Sequence, residues 1–140
     1  EAMAEMLTGN LGVKVEVNSA DWAVFYDAVQ NGDYEVAAMG WSADYVNPMS
    51  FLPLLYTDDV ANSLFYSNPT YDAIVDQIRS ERDPAKFAEL VRKADETVSA
   101  EYPVLPLYYK SNTYLMHNYV SGVYMTSNGN LYFKKAVVSK

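Results

Sequence analysis

The amino-acid sequence predicts one α/β domain over residues 1–140, with a mixed sheet flanked by helices. Three observations favour this class. Strand, helix and strand patterns follow one another between residues 13 and 39, two amphipathic helical patterns occupy residues 69–100, and β-prone segments fill residues 103–138. The strand–helix–strand order favours a parallel pair joined by a right-handed crossover. The two later helices can then cover a face of the sheet.

The first ten residues carry a helical pattern, with Met3, Met6 and Leu7 on one face and Gly9-Asn10 as the predicted end. No capping residue precedes Glu1, so the pattern begins in the middle of a helix. We therefore expect the chain to be part of a longer polypeptide, with any export signal upstream of it.

A strand–helix–strand unit is predicted next. Residues 13–17 alternate between valine and charged side chains, which is typical of a half-buried strand. Asn18 or Ser19 is the expected cap of the following helix, and Gly32 is its expected end. The predicted buried stripe of this helix consists of Trp22, Phe25, Tyr26 and Val29. The apolar run Tyr34–Met39 is then the second strand.

Two further helices are predicted after residue 68. The apolar run Met49–Tyr56 contains Pro53 and predicts a short helix with an irregular exit, while the polar residues 57–67 predict a loop. Asn68-Pro69 and Asp83-Pro84 each place a capping side chain before a proline at the first helical position. The predicted core faces are Tyr71, Ile74, Val75 and Ile78 in one helix and Phe87, Leu90, Val91, Ala94 and Val98 in the other.

The last forty residues are β-prone. Pro103–Tyr109 contains two prolines, so we expect it to join the sheet late or at an edge, and residues 113–116 to continue it. Val120–Met125 and Leu131–Val138 predict two short strands, with a turn over residues 127–130 between them.

Composition excludes several classes of function. The net charge is −8, and Lys and Arg are adjacent only as pairs, which argues against nucleic acid and anionic membrane as partners. No apolar run is long enough to span a membrane. With no cysteine and His117 as the single histidine, no thiolate or multi-histidine metal site is possible. We expect no cofactor and no metal.

The segment after the second predicted strand combines residue types that suit a binding site. Gly40 permits the close approach of another backbone, and Trp41, Ser42, Asp44 and Tyr45 follow it. A carboxylate beside aromatic rings suits an ammonium ion, through a charge-assisted hydrogen bond and cation–π attraction. Taken alone, however, Asp44 is more often a turn or capping residue, and Trp41 is as often core as binding surface.

Residues 40–52, Gly-Trp-Ser-Ala-Asp-Tyr-Val-Asn-Pro-Met-Ser-Phe-Leu, closely resemble a signature of the family 5 extracellular solute-binding proteins. These are the oligopeptide- and dipeptide-binding receptors of ABC importers. Similar segments follow the family's order and spacing at Leu11–Val15, Asn31–Val36, Tyr66–Asp72 and Pro103–Tyr109. The resemblance covers the whole chain and corresponds to the C-terminal portion of such a receptor.

The resemblance implies one lobe of a type II periplasmic-binding-protein-like fold, in a receptor whose two lobes close around the ligand. It also implies that residues from about 120 onward return toward the other lobe. In peptide-binding members the aspartate of the motif pairs with the N-terminal ammonium of the peptide. Asp44 is therefore the expected ammonium partner, with Gly40, Trp41 and Ser42 as the docking edge for the peptide and Tyr45 beside them.

The function implied by the resemblance is capture of short peptides outside the cytoplasmic membrane, without catalysis. The implied partners are the transmembrane permease subunits of an ABC transporter. The expected location is the periplasm, or the outer face of the cytoplasmic membrane through an upstream lipid anchor. Some members carry a basic residue two positions before the glycine, where this chain has Ala38. Recognition of the peptide's C-terminus is therefore not assigned to this segment.

Other functions remain open at this point. The family also contains nickel-binding and sugar-binding members. A hydrolase domain using carboxylates such as Asp44 and Glu35 is an alternative from a different class. A third alternative is a protein-interaction module without a small ligand.

Overall fold

The computed structural model describes residues 1–139, which divide into two compact units. The first unit is Glu1–Ala37, and the second begins at Ala38. The boundary between them lies just before the segment that the sequence singles out as a candidate site. Each unit is described separately below.

The first unit contains two helices, α1 (Ala2–Leu11) and α2 (Trp22–Asn31). Both end at a glycine in the left-handed conformation, Gly12 with φ 66° and Gly32 with φ 76°. The predicted end of α1 at Gly9-Asn10 is wrong by two residues, because Gly12 is the residue that adopts the conformation terminating the helix. The start of α2 also differs from the prediction, since Asp21 precedes it without a side-chain capping bond.

The predicted buried stripe of α2 is wrong for its largest member. Trp22 is 65% exposed, and Tyr26 is exposed as well, whereas Val29 is buried. The Trp22 ring instead contacts the rings of Phe25 and Tyr26, at centroid distances of 5.8 and 5.7 Å. An amphipathic face is buried only where another element covers it. The neighbouring segments form no strand that could do so in the part of the chain that is described.

The strands predicted at residues 13–17 and 34–39 are wrong, and so is the parallel pair between them. Neither segment pairs with a neighbour within residues 1–139, and the second contains bends at Glu35 and Val36. The same holds for residues 103–109 and 113–116, which are likewise not strands. Alternating side chains indicate which faces a strand would present, but a strand forms only when a second backbone supplies hydrogen bonds.

The second unit is centred on two helices that pack against each other, α3 (Pro69–Ser80) and α4 (Pro84–Ser99), joined by a three-residue connection. Both predicted starts are confirmed. The Asn68 Oδ1 atom accepts hydrogen bonds from the amides of Thr70 and Tyr71, at 2.9 and 3.1 Å. The Asp83 Oδ1 atom accepts from the amides of Ala85 and Lys86, at 2.9 and 3.0 Å.

The hydrophobic core lies between these two helices and a pair of 3₁₀ helices, Pro48–Ser50 and Leu52–Leu55. All four residues of the predicted α3 core face are buried, and Ala94 faces them from α4. The predicted short helix over residues 49–56 is thus two 3₁₀ turns. The Tyr71 hydroxyl donates to the Leu52 carbonyl oxygen at 2.8 Å, which ties the second 3₁₀ helix to α3.

In the part of the chain that is described, four two-residue strands follow: β1 (Val120–Ser121), β2 (Tyr124–Met125), β3 (Leu131–Tyr132) and β4 (Val137–Val138). They form two antiparallel pairs, β1 with β4 and β2 with β3. Each predicted strand of this region is therefore split into two. Gly122 accounts for one of the breaks, because its φ of 74° is not extended. Only glycine fits there, since a Cβ atom would lie 1.9 Å from the Lys135 carbonyl oxygen.

Candidate functional site

The candidate site is the segment Gly40–Tyr45, which leads into the first 3₁₀ helix. Its own backbone belongs to no regular element. The turn after it is capped by Asn47, whose Oδ1 atom accepts a hydrogen bond from the Met49 amide at 2.9 Å, with Pro48 at the first helical position. The Asn-Pro pair thus fixes where the loop ends and the helical turn begins.

Ser50 connects this loop to the 3₁₀ helix through two hydrogen bonds. The indole Nε1–H of Trp41 donates to the Ser50 carbonyl oxygen at 2.7 Å. The backbone N–H of Asp44 donates to the Ser50 Oγ atom at 2.8 Å. Ser50 itself is only 6% exposed, so both bonds are made to a buried residue. The loop is therefore folded back onto the helical turn that follows it.

The predicted site residues present an open surface. Trp41 is 48% exposed and Tyr45 is 52% exposed, and Ser42 and Asp44 are exposed too. Within residues 1–139 the Asp44 carboxylate has no hydrogen-bond or ion-pair partner. It is thus free to accept hydrogen bonds from a ligand, whereas the backbone that carries it is held in place.

Gly40 lies beside open space, since a Cβ atom built on it would meet no other atom within 4 Å. Packing among residues 1–139 consequently does not require glycine at this position. A backbone that carries no side chain and faces open space leaves room for another backbone. The sequence predicted this close approach at Gly40.

The sequence interpretation missed Ser50 as part of this site. The structure brings Trp41 and Asp44 together through it, whereas Ser42 and Tyr45 share the segment without a direct bond to either. One feature could have revealed it: Ser50 is the single hydroxyl side chain in the apolar run 49–55. A polar side chain that is buried needs a hydrogen-bond partner, and a nearby loop amide is an ordinary one.

Three acidic side chains in or just after the neighbouring loop have structural partners, whereas Asp58 of that loop has no side-chain hydrogen bond within residues 1–139. The Asp59 Oδ1 atom accepts from the Ala61 amide at 3.0 Å, and Asp72 Oδ1 accepts from the Thr57 amide at 3.0 Å. Asp76 pairs with Arg79 at 2.9 Å. Nowhere in the described part of the chain do three or more His, Cys, Asp or Glu side chains come together in a group that could hold a metal ion.

A second polar network joins this loop to the end of α4. The Tyr66 hydroxyl donates to Glu101 Oε2 at 2.8 Å, and the Asn68 side-chain amide donates to Glu101 Oε1 at 2.9 Å. Burial, together with the hydrogen bond to Glu101, raises the pKa of Tyr66 above its ordinary value. The network is fully paired within the chain, so we assign it a structural role.

A cavity of the second unit does not include the candidate site. An apolar groove of about 440 Å³ lies between the two 3₁₀ helices and α4. Its lining includes Phe51, Leu55, Val91 and Val98, but none of the predicted site residues. The candidate site is thus an exposed loop surface and not an enclosed pocket.

Among residues 1–139, no helix combines the length and the apolar character needed to cross a bilayer.

Comparisons with known proteins identify relatives of the whole chain. Residues 1–63 match the family model described as bacterial extracellular solute-binding proteins, family 5 Middle. The chain is 34% identical over 97% of its length to the oligopeptide-binding protein OppA of Bacillus subtilis, and covers 25% of that protein. It is 32% identical over 86% of its length to the periplasmic oligopeptide-binding protein OppA of Salmonella typhimurium, covering 22% of it.

Solved structures of oligopeptide-binding proteins also match nearly the whole chain. Haemophilus influenzae OppA in complex with the peptide RPPGFSPFR matches 99% of the chain at 26% identity, with a TM-score of 0.89 and 28% of that chain covered. The substrate-binding domain of an oligopeptide ABC transporter from Bacillus anthracis matches 98% of it at 27% identity, with a TM-score of 0.87 and 27% covered. The predicted fold class, an α/β lobe of the type II periplasmic-binding-protein kind, is confirmed. The chain spans about a quarter of the length of these relatives.

Proposed function

Because the chain belongs to family 5 of the bacterial extracellular solute-binding proteins, we propose that the protein carrying it binds short peptides for an ABC importer. The observation that carries this proposal is the unpaired carboxylate of Asp44 on a loop held in place by Ser50. The names of the relatives support the ligand class, since they are described as oligopeptide- or dipeptide-binding proteins.

In this proposal the Asp44 carboxylate pairs with the N-terminal ammonium of the peptide. The bond is charge-assisted on both sides, and it strengthens when the closing of the receptor excludes water. Trp41 and Tyr45 lie in the same exposed segment and can add cation–π attraction. Removing one partner of such a pair, once the pair is buried, weakens the free energy of binding by about 3–5 kcal/mol.

The docking edge in this proposal is the backbone of Gly40, Trp41 and Ser42. This backbone forms no ladder with another strand of the described chain, so its amide and carbonyl groups can pair with an extended peptide. Pairing through main-chain groups gives affinity without selecting particular side chains. The open space beside Gly40 supports this arrangement.

The proposed partners are the transmembrane permease subunits of the transporter, to which the loaded receptor delivers its peptide. ATP hydrolysis then belongs to other subunits, and this protein is not an enzyme.

The proposed location is outside the cytoplasmic membrane, either in the periplasm or attached by a lipid anchor. The descriptions of two relatives as periplasmic support that location. We also propose that residues from about 120 onward lead back toward the other lobe.

The test is calorimetric titration of the intact protein with short peptides. Asp44→Asn should weaken binding by roughly two orders of magnitude or more, following the cost of an unpaired buried charge. Acetylating the peptide N-terminus should have a similar effect. Asp58→Asn is the matched control, because Asp58 is an exposed aspartate of the adjacent loop with no side-chain hydrogen bond in residues 1–139. Unchanged affinity in Asp44→Asn would remove Asp44 from the site.

The same titration separates the alternative functions. Heat of binding with nickel or a sugar, and none with peptides, would favour one of the other ligand classes of the family. Mass spectrometry of the peptide after incubation would reveal cleavage if the protein were a hydrolase. Absence of binding to all of these ligands would favour a protein-interaction module.

A further inference from the structure

Ser50 makes two bonds that together define the shape of the proposed peptide site. Its carbonyl oxygen accepts from the Trp41 indole at 2.7 Å, and its hydroxyl oxygen accepts from the Asp44 amide at 2.8 Å. The two donors lie three residues apart, near opposite ends of the site loop. Both are therefore fixed with respect to one buried residue.

We infer that Ser50 is the positioning residue of this site, and that it sets the orientation of the Asp44 carboxylate without touching the ligand. The inference rests on the proposed function, because it assigns a role in binding the peptide ammonium. A loop that is already ordered loses less conformational entropy when the ligand binds, so its affinity is higher than that of a mobile loop with the same side chains.

Ser50 can act as a fixed point because the core of the second unit holds it. It ends the first 3₁₀ helix and is 6% exposed. Two residues further on, the Leu52 carbonyl oxygen accepts a hydrogen bond from the hydroxyl of Tyr71. Tyr71 is itself buried on the core face of α3. Hydrogen bonds at Ser50 and at Leu52, which lie two positions apart in the chain, thus connect the site loop to the buried α3 core face.

The contributions of the Ser50 hydroxyl and the Ser50 carbonyl can be measured separately. Ser50→Ala removes the acceptor of the Asp44 amide but keeps the carbonyl that accepts from Trp41. It deletes one oxygen atom without adding volume, so the core packing is preserved. The Asp44 residue is exposed, and water can satisfy its amide when the hydroxyl is gone. The expected consequence is a mobile Asp44 in a protein that still folds.

The experiment is a thermodynamic cycle on the intact protein, with a tripeptide that carries either a free or an acetylated N-terminus. Ser50→Ala should weaken binding of the free-amine peptide by about five- to tenfold, the value of one ordinary hydrogen bond. It should leave affinity for the acetylated peptide nearly unchanged, because that peptide has no ammonium for Asp44 to meet. Ser99→Ala, the same change at an exposed position of α4, is the control and should affect neither peptide.

Equal losses for the two peptides would overturn the inference, because they would indicate general damage to the loop and not a misplaced carboxylate. No loss for either peptide would overturn it as well. Adding Ser50→Ala to Asp44→Asn should cost little further affinity, since the two changes act on the same interaction. If the parent protein binds neither peptide, the proposed function fails; if it binds peptides but Asp44→Asn has no effect, the inference fails and peptide binding stands. The two failures are therefore distinguishable.

Discussion

Two capping residues of the second unit look equivalent in sequence but differ in the structure. Asn68 and Asp83 both precede a proline and both cap a helix through one side-chain oxygen. Asn68 also uses its amide nitrogen, which donates to Glu101 at 2.9 Å and to the Tyr66 hydroxyl at 3.1 Å. The capping role follows from local sequence, whereas the bond to Glu101 spans 33 residues and could not be predicted from it.

The two roles of Asn68 can be tested apart. Asn68→Asp keeps an oxygen for the cap but removes the donor and places a second carboxylate beside Glu101. We expect it to lower the free energy of unfolding by about 1–3 kcal/mol, because the Glu101 bond is lost and like charges face each other. Asp83→Asn, which also retains its cap, should change stability by less than about 0.5 kcal/mol. Urea unfolding of the intact protein measures both.

Tyr71 gives a pH-dependent contribution to stability. Burial is the largest cause that raises the pKa of Tyr71 above its ordinary value of 10.0. The folded state therefore keeps the proton where the unfolded state would release it. This contribution is fully present below about pH 10 and is lost as the pH rises above that value. Alkaline solutions should accordingly destabilise the second unit.

Tyr71→Phe tests this pH dependence. At pH 8 the variant should be less stable by about 1 kcal/mol, since the bond to the Leu52 carbonyl is lost. Above pH 10 the difference from the parent should shrink, because phenylalanine cannot ionise. Urea titrations at pH 8 and pH 11 measure the free energy of unfolding of the variant and the parent at each pH. Tyr109→Phe, at a fully exposed tyrosine, is the control, and parallel curves for Tyr71→Phe and the parent would contradict the assignment.

At the scale of elements, the helices of the second unit and the strand regions after residue 119 were predictable, whereas the strands predicted before residue 117 were wrong. Both caps and the α3 core face depend on residues three or four positions apart, which the sequence displays directly. A strand depends on a partner that is distant in sequence, and residues 13–17 and 34–39 have none within residues 1–139. The site segment was singled out by its motif and stays a prediction. The role of Ser50 was missed because its hydroxyl accepts from an amide six residues away across a loop.

The helical pair α3–α4 should carry most of the local stability of the second unit. Val75 is 0% exposed at its centre, whereas Val60 in the preceding loop is 96% exposed. Val75→Ala should therefore lower the stability of the pair by about 2 kcal/mol, from lost burial and the cavity left behind. Val60→Ala removes the same two methyl groups and should change it by less than about 0.5 kcal/mol. Amide hydrogen exchange of α3 and α4 in the intact protein distinguishes the two.

At the scale of the whole molecule, binding of a peptide should stabilise the folded protein by mass action. A peptide present at 100 times its dissociation constant adds about 2.7 kcal/mol to the free energy of unfolding. Thermal unfolding of the intact protein should therefore shift upward with a free-amine peptide, and much less with its acetylated form at the same concentration. Equal shifts for both peptides would contradict recognition of the ammonium group by Asp44.

The hydrogen bond between Trp41 and Ser50 also gives the site an optical label. The chain contains two tryptophans, and the indole of Trp41 is half-exposed yet held in one orientation. Covering it with a ligand replaces water around the ring, so its fluorescence emission should move to shorter wavelength as the site fills. Trp22→Phe removes the other tryptophan of residues 1–140, and the difference between spectra with and without Trp41→Phe isolates the emission of Trp41 in the intact protein. A residue proposed to touch the ligand would then report, without any added dye, how fast the ligand arrives and leaves.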